Sequence, residues 1–86
     1  MQDIKQLRKR VDEVDQQILL ALSKRAQICR DIGAAKKEQR LPVKDPLRES
    51  EVFKHVKQKA EELALNPLKV EAVYREIVNM CSNVQE

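Results

Sequence analysis

Apolar residues recur every three or four positions along the first third of the chain: Ile4, Leu7, Val11, Val14, Ile18, Ala21, Ile28, Ile32 and Ala35. This is the period of one face of an α-helix. Arg25 sits on the same stripe and interrupts it. A guanidinium on a core-facing stripe is costly unless an anion meets it, either a buried carboxylate of the protein or an anionic ligand. Nothing stops the helix before Gly33, and one glycine costs only about 1 kcal/mol in a helix interior. The pattern therefore predicts one helix over residues 3–38, roughly 50 Å long. Its centre, Ile18-Leu19-Leu20-Ala21-Leu22, is apolar almost all round and is expected to be buried on more than one side.

Residues 39–44 read as a connector, because Pro42 cannot continue a helix. Asp45 followed by Pro46 is an N-cap with proline at the first helical position, which starts a second helix over 46–64 with the apolar row Val52, Phe53, Val56, Ala60 and Leu63. Asn66-Pro67 repeats the signal for a third helix over 67–85, carrying Val70, Val73, Tyr74, Ile77, Val78, Cys81 and, one turn on, Gln85. No strand, repeat or low-complexity tract is legible. The fold class is all-α, one long helix plus two shorter ones. With 86 residues the chain forms one domain. A helix that long outruns any single shorter partner, and a domain this small buries little surface alone. A two-fold, intertwined helical homodimer is the expected solution.

Charge narrows the partners. The net charge is +3, but acids alternate with the basic residues, and the chain has one Phe, one Tyr and no Trp. That describes a solvated surface, not a nucleic-acid stripe. No run is long and apolar enough for a membrane span, and the first residues lack the apolar centre of a signal peptide, so a cytoplasmic location is expected. Cys29 and Cys81 have no metal-ligand spacing; they read as two thiols in a reducing compartment, with Cys81 a small buried hydrophobe and a disulfide between the two as the lesser alternative. His55 falls among lysines and reads as surface. There is no phosphate-cradling glycine loop, dinucleotide fingerprint, metal cluster or nucleophile–base pair, so neither cofactor nor metal is expected.

The remaining candidates are polar groups on apolar faces. Lys36 lies eleven residues beyond Arg25, which returns it to the same helix face within about 20° and about 16 Å along the axis. Glu49 stands four residues before Phe53, Arg48 four before Val52, and Gln85 four beyond Cys81. Asp45 is accounted for as a cap, and Arg8 reads locally as surface. Several cations, one carboxylate, an amide and a helix N-terminus suit a small polyanion whose charge shifts during reaction, without a covalent intermediate.

These residues carry a resemblance. The segment LRKRVDEVDQQIL at 7–19, Arg25, IGAAK ending in Lys36, LPVKDPLRE at 41–49, and Ile77, Cys81 and Gln85 near the end together resemble the all-helical class of chorismate mutase over nearly the whole chain. The resemblance implies rearrangement of chorismate to prephenate on the shikimate route to phenylalanine and tyrosine, in an intertwined homodimer with two equivalent sites. It implies that Arg25, and Arg8 from the other subunit, bind the substrate carboxylates. Lys36 and Gln85 would meet the ether oxygen. Glu49 and the backbone at Asp45 would hold the ring hydroxyl. Cys81 occupies a place where the family often has a Ser contacting a carboxylate, and Arg48 would support the anionic pocket. Helix geometry agrees with sharing: Arg8 and Arg25 are roughly 25 Å apart on one helix, whereas an antiparallel crossing of two copies near residue 17 would bring Arg8 of one beside Arg25 of the other. Where relatives carry Glu in place of Gln85, activity needs acid pH, so Gln85 implies little acid dependence.

Two neighbouring readings remain open on residue types. An isochorismate-pyruvate lyase of the same fold would use similar ligands. A non-catalytic regulatory helical module, docking on another shikimate-pathway enzyme, would have no reason to keep Arg25, Lys36, Glu49 and Gln85 together.

Overall fold

The computed structural model describes residues 3–86 and holds three helices, α1 (Ile4–Glu38), α2 (Pro46–Glu62) and α3 (Pro67–Gln85), with no strand among the described residues. Each start is a side-chain cap. Asp3 accepts from the Lys5 N–H at 3.2 Å, Asp45 from the Arg48 N–H at 3.2 Å, and Asn66 from the Leu68 and Lys69 N–H groups at 3.0 and 3.2 Å. These bonds satisfy donors that the first helical turn leaves without partners.

Two of the ends use a device without its usual residue. After α1, the Leu41 N–H donates to the Lys36 carbonyl at 2.7 Å and the Arg40 N–H to Lys37 at 3.3 Å. After α2, the Leu65 N–H donates to Ala60 at 2.8 Å and the Ala64 N–H to Glu61 at 3.2 Å. Both are Schellman closures, which want a left-handed residue, normally glycine. Arg40 and Ala64 fill that position at φ 58° and 59°. The turn at Leu63–Ala64 thus closes α2 at Glu62, two residues before the boundary expected from its apolar row. A left-handed alanine costs about 1–2 kcal/mol, partly offset by the chain entropy that glycine would lose. Ala64→Gly is expected to stabilise the protein by about 0.5–1 kcal/mol, read as a higher urea midpoint at unchanged slope; an unchanged or lower midpoint contradicts the strain assigned to this turn.

α3 packs against both α1 and α2, whereas α1 and α2 do not pack on each other. α3 runs parallel to α1, since Cys29 faces Cys81 and Gly33 faces Gln85 one turn further on. The core is small: Cys29, Val56, Ala60, Val78 and Ser82 are buried. Lys57 and Arg75 clamp Glu71 at 3.0 and 3.7 Å across and along the α2–α3 seam, and the Arg75 guanidinium lies 4.6 Å over the Phe53 ring. The Lys57 hydrogen bond, followed by the charges of Lys57 and Arg75, holds the Glu71 carboxyl below the usual range. Its contribution to stability is present above the ordinary carboxylate pKa and fades as pH falls through the lowered one.

Cys29 and Cys81 are joined as a disulfide between α1 and α3, with Cα atoms 5.3 Å apart. This corrects the reading of two separate thiols. Both cysteines project into one seam, a pairing that a 52-residue separation hides from the sequence. In the chain-entropy picture a link over such a loop is worth about 4 kcal/mol.

The N-terminal half of α1 has no cover within the chain. Every residue from Asp3 to Ala21 is exposed, including Val11, Val14, Ile18, Leu19 and Leu20. The burial expected for the helix centre is therefore not supplied by α2 or α3. The molecule measures 58 × 23 × 15 Å with a radius of gyration of 16.1 Å, against about 12 Å for a compact domain of this length. An apolar stripe on so extended a shape marks an interaction surface.

Candidate active site

A cavity of about 350 Å³, open to solvent, lies where the C-terminal half of α1 meets the end of α3 and the start of α2. Its lining includes Arg25, Lys36, Asp45, Arg48, Glu49, Cys81 and Gln85. Of the site residues expected from sequence, only Arg8 is elsewhere: it is exposed on the uncovered half of α1. Apolar walls come from Ile28, Ile32, Val43, Val52 and Val78. Three cations face two carboxylates in this lining, leaving one net positive charge. The volume falls in the range of small-molecule sites.

Lys36 is the best-tied cation. Its ammonium donates to the Val43 carbonyl at 2.7 Å and to Gln85 Oε1 at 2.8 Å. An ammonium only donates, so the amide oxygen of Gln85 must face Lys36 and its NH₂ must point away. That NH₂ lies 3.1 Å from Cys81 Sγ. Lys36 keeps one N–H beyond these two bonds, and Gln85 keeps one beyond its contact with sulfur. Gln85 is thus a half-buried member of a network, not a frayed, solvated end.

Arg25 is half-buried, and its Nη1 lies 3.7 Å from Cys29 Sγ. Among the described residues no carboxylate pairs with it, so the costly stripe position is not explained there by an internal acid. Glu49 sits half-buried in the first turn of α2. Asp45 is occupied as a cap. Arg48 lines the cavity and also pairs with Glu51 at 3.4 Å, both side chains largely exposed. Cys81, as half of a disulfide, has no S–H to give a carboxylate; this corrects the expectation that its side chain could act as a serine does. His55 is exposed and outside the cavity. Among the described residues no group of His, Cys, Asp and Glu is placed to hold a metal ion, and no helix is long and apolar enough to cross a membrane.

Three contributors escaped the sequence reading. The Val43 carbonyl is backbone and has no residue signature. Cys29 is one turn beyond Arg25 on the same face, but its role depends on α3. Gly33 allows the approach of α3: a Cβ there would lie 2.8 Å from Gln85 Cα and 3.1 Å from its Cβ. Backbone cannot yield as a side-chain tip does, so Gly33→Ala is expected to cost about 1–3 kcal/mol through overpacking. A denaturant melt reads this; an unchanged midpoint would mean that the two helices are not held in this contact.

Comparison with known proteins adds a family. The model described as chorismate mutase type II matches residues 7–86. The chain is 34% identical over 89 residues to the bifunctional chorismate mutase/prephenate dehydratase of Aquifex aeolicus, a match covering 100% of this chain and 25% of that protein. It is 26% identical over 62 residues to a chorismate mutase of Methanocaldococcus jannaschii, covering 72% of this chain and 63% of the relative. The chain therefore spans a quarter of the Aquifex relative and less than two thirds of the other. Among solved structures, a conserved hypothetical protein from Pyrococcus furiosus is similar with a TM-score of 0.76 and 35% identity, covering 96% of this chain and 95% of that one.

Proposed function

The chain belongs to the chorismate mutase type II family, and from that membership we propose that it is an isomerase converting chorismate to prephenate. The observation that carries the reading is Arg25: a half-buried guanidinium beside an open cavity, with sulfur and, among the described residues, no carboxylate against it. A dianionic substrate supplies the missing anion. Lys36 and Gln85, each with an N–H to spare, stand in the same lining.

The reaction is an intramolecular rearrangement. The C–O bond of the enolpyruvyl ether breaks as a C–C bond forms, with no proton, electron or group exchanged with the protein. What a protein can add is shape and charge. Guanidinium–carboxylate pairs fold the flexible arm over the ring and hold the reacting carbons together. As the ether bond opens, negative charge gathers on its oxygen. The Lys36 ammonium and the Gln85 amide bind that oxygen more tightly in the transition state than in the substrate. Glu49 and the N-terminus of α2 at Asp45 take the ring hydroxyl, and Arg48 adds positive potential at the rim. Cys81 serves as wall and as the support of the Gln85 amide.

We further propose that the active form is a homodimer. The uncovered stripe of α1, including Val11, Val14 and Ile18, is the surface that a second α1 would bury. Arg8 of that copy would bring the second guanidinium and raise the net charge facing a dianion to two. The test is direct. Purified protein is given chorismate or isochorismate, products are identified, and mass is measured by sedimentation. Prephenate from chorismate with a dimeric mass is expected; pyruvate release from isochorismate would favour the lyase, and a monomer at micromolar concentration would remove the shared site.

A further inference from the structure

We propose that the Cys29–Cys81 disulfide positions Arg25 and Gln85, so that turnover follows the thiol–disulfide state of the chain; this rests on the mutase reading above. The contacts form one continuous path. Lys36 Nζ donates to Gln85 Oε1 at 2.8 Å, Gln85 Nε2 approaches Cys81 Sγ at 3.1 Å, the disulfide crosses from α3 to α1, and Arg25 Nη1 stands 3.7 Å from Cys29 Sγ. The two ends are the cations assigned to the ether oxygen and to a carboxylate. Arg25 and Gln85, whose polar ends meet the two sulfurs, both line the cavity.

Breaking the bond displaces both ends. Two thiol sulfurs cannot stay at bonding distance and must separate to van der Waals contact. Little slack exists one turn away, where Gly33 lets Gln85 Cα approach so closely that even a methyl group would not fit. The sulfurs therefore move by rotation about their own Cα–Cβ bonds or by a shift of α3, and either takes the acceptor away from the Gln85 amide. Reduction adds a weak S–H donor to each sulfur beside its weak acceptor lone pairs, so the contacts to Gln85 and Arg25 hold only as far as the sulfurs keep their places.

The chemistry balances with a low-molecular-weight disulfide as oxidant. The Cys81 thiolate, on the cavity wall, attacks one sulfur and releases one thiol, giving a mixed disulfide. The buried Cys29 then attacks as its thiolate and releases the second. Two electrons pass from the cysteines to the oxidant, and two protons leave with the released thiols. A dithiol reverses the sequence.

The experiment compares the full chain oxidised with glutathione disulfide, the same chain reduced with dithiothreitol, and the Cys29→Ala/Cys81→Ala double variant. Thiols are counted by alkylation under denaturing conditions, and kcat and KM for chorismate are measured well below the melting temperature of the reduced form. Reduction is expected to lower kcat/KM about tenfold to a hundredfold, with kcat reporting Gln85 and KM reporting Arg25. Reoxidation restores it. The double variant is expected to match the reduced chain and to ignore dithiothreitol. Equal kcat/KM in the oxidised and reduced folded forms overturns the proposal alone, as does a double variant as active as the oxidised chain. Two free thiols surviving glutathione disulfide also overturn it. An oxidised chain without turnover overturns the mutase reading and this proposal with it.

Discussion

Lys36→Ala is expected to lower kcat for chorismate about a hundredfold to a thousandfold, with a much smaller change in KM. The ammonium is placed before substrate arrives, by the Val43 carbonyl and the Gln85 amide oxygen. It therefore pays no reorganisation when charge develops on the ether oxygen. A donor already aimed at a developing oxyanion is worth about 2.7–4 kcal/mol in such sites. The ground-state ether is a poor acceptor, so little of that energy is realised on binding, and the loss falls on kcat. Alanine favours helix at least as well as lysine, so α1 itself is not weakened. The variant does remove the tie between α1 and the connector, so circular dichroism and a denaturant melt must accompany the kinetics. Lys36→Arg keeps charge but not the compact ammonium, and recovers only part of the loss. A folded Lys36→Ala chain within tenfold of the parent rate would remove this residue from the reaction.

Of the helix boundaries, the sequence reading missed most at the end of α2. Asp45-Pro46 and Asn66-Pro67 announce their helices because a side-chain acceptor and a fixed φ act locally, and the structure uses both as caps. Pro42 places the end of α1 at Glu38, but nothing announces the end of α2, because the left-handed residue of its Schellman turn, Ala64, is not glycine. The polar residues out of place on apolar faces, Arg25, Lys36, Glu49 and Gln85, were visible for a related reason: a polar group where burial is expected calls for a partner. What they line together depends on how α3 lies on α1, and residue types do not encode that register. The disulfide stood only as the lesser alternative because composition argued for separate thiols, whereas the parallel packing of α1 and α3 brings Cys29 to Cys81. Arg8 is the extreme case. Neither its sequence neighbourhood nor its exposed position on a single chain marks it. Only the resemblance gives it a place, and the distance to Arg25 along one rigid helix agrees with that place being in a second copy.

That distance makes the second large effect a matter of which chain supplies which arginine. Arg8→Ala and Arg25→Ala are each expected to lose roughly thirtyfold or more in kcat/KM, since truncating one partner of a buried charge pair costs about 2–5 kcal/mol. Mixed and reassociated, the two variants are expected to recover activity that neither has alone. In the heterodimer, one site takes Arg25 from the first chain and Arg8 from the second, both intact, while the other site has lost both. Random pairing makes half the dimers mixed, so the ceiling is about one quarter of parental activity per chain. An arrangement with both arginines serving one chain's site forbids any recovery, because every site would then lack one guanidinium whatever the pairing. Verified heterodimers, made with differently tagged chains, with no more activity than the separate variants would therefore refute the shared site while leaving Arg25 and Lys36 untouched. Recovery near one quarter has no other simple source. Arg25→Ala makes the stripe of α1 more apolar, so the mass of each variant is measured beside the kinetics to separate a change in dimer affinity from shared arginines.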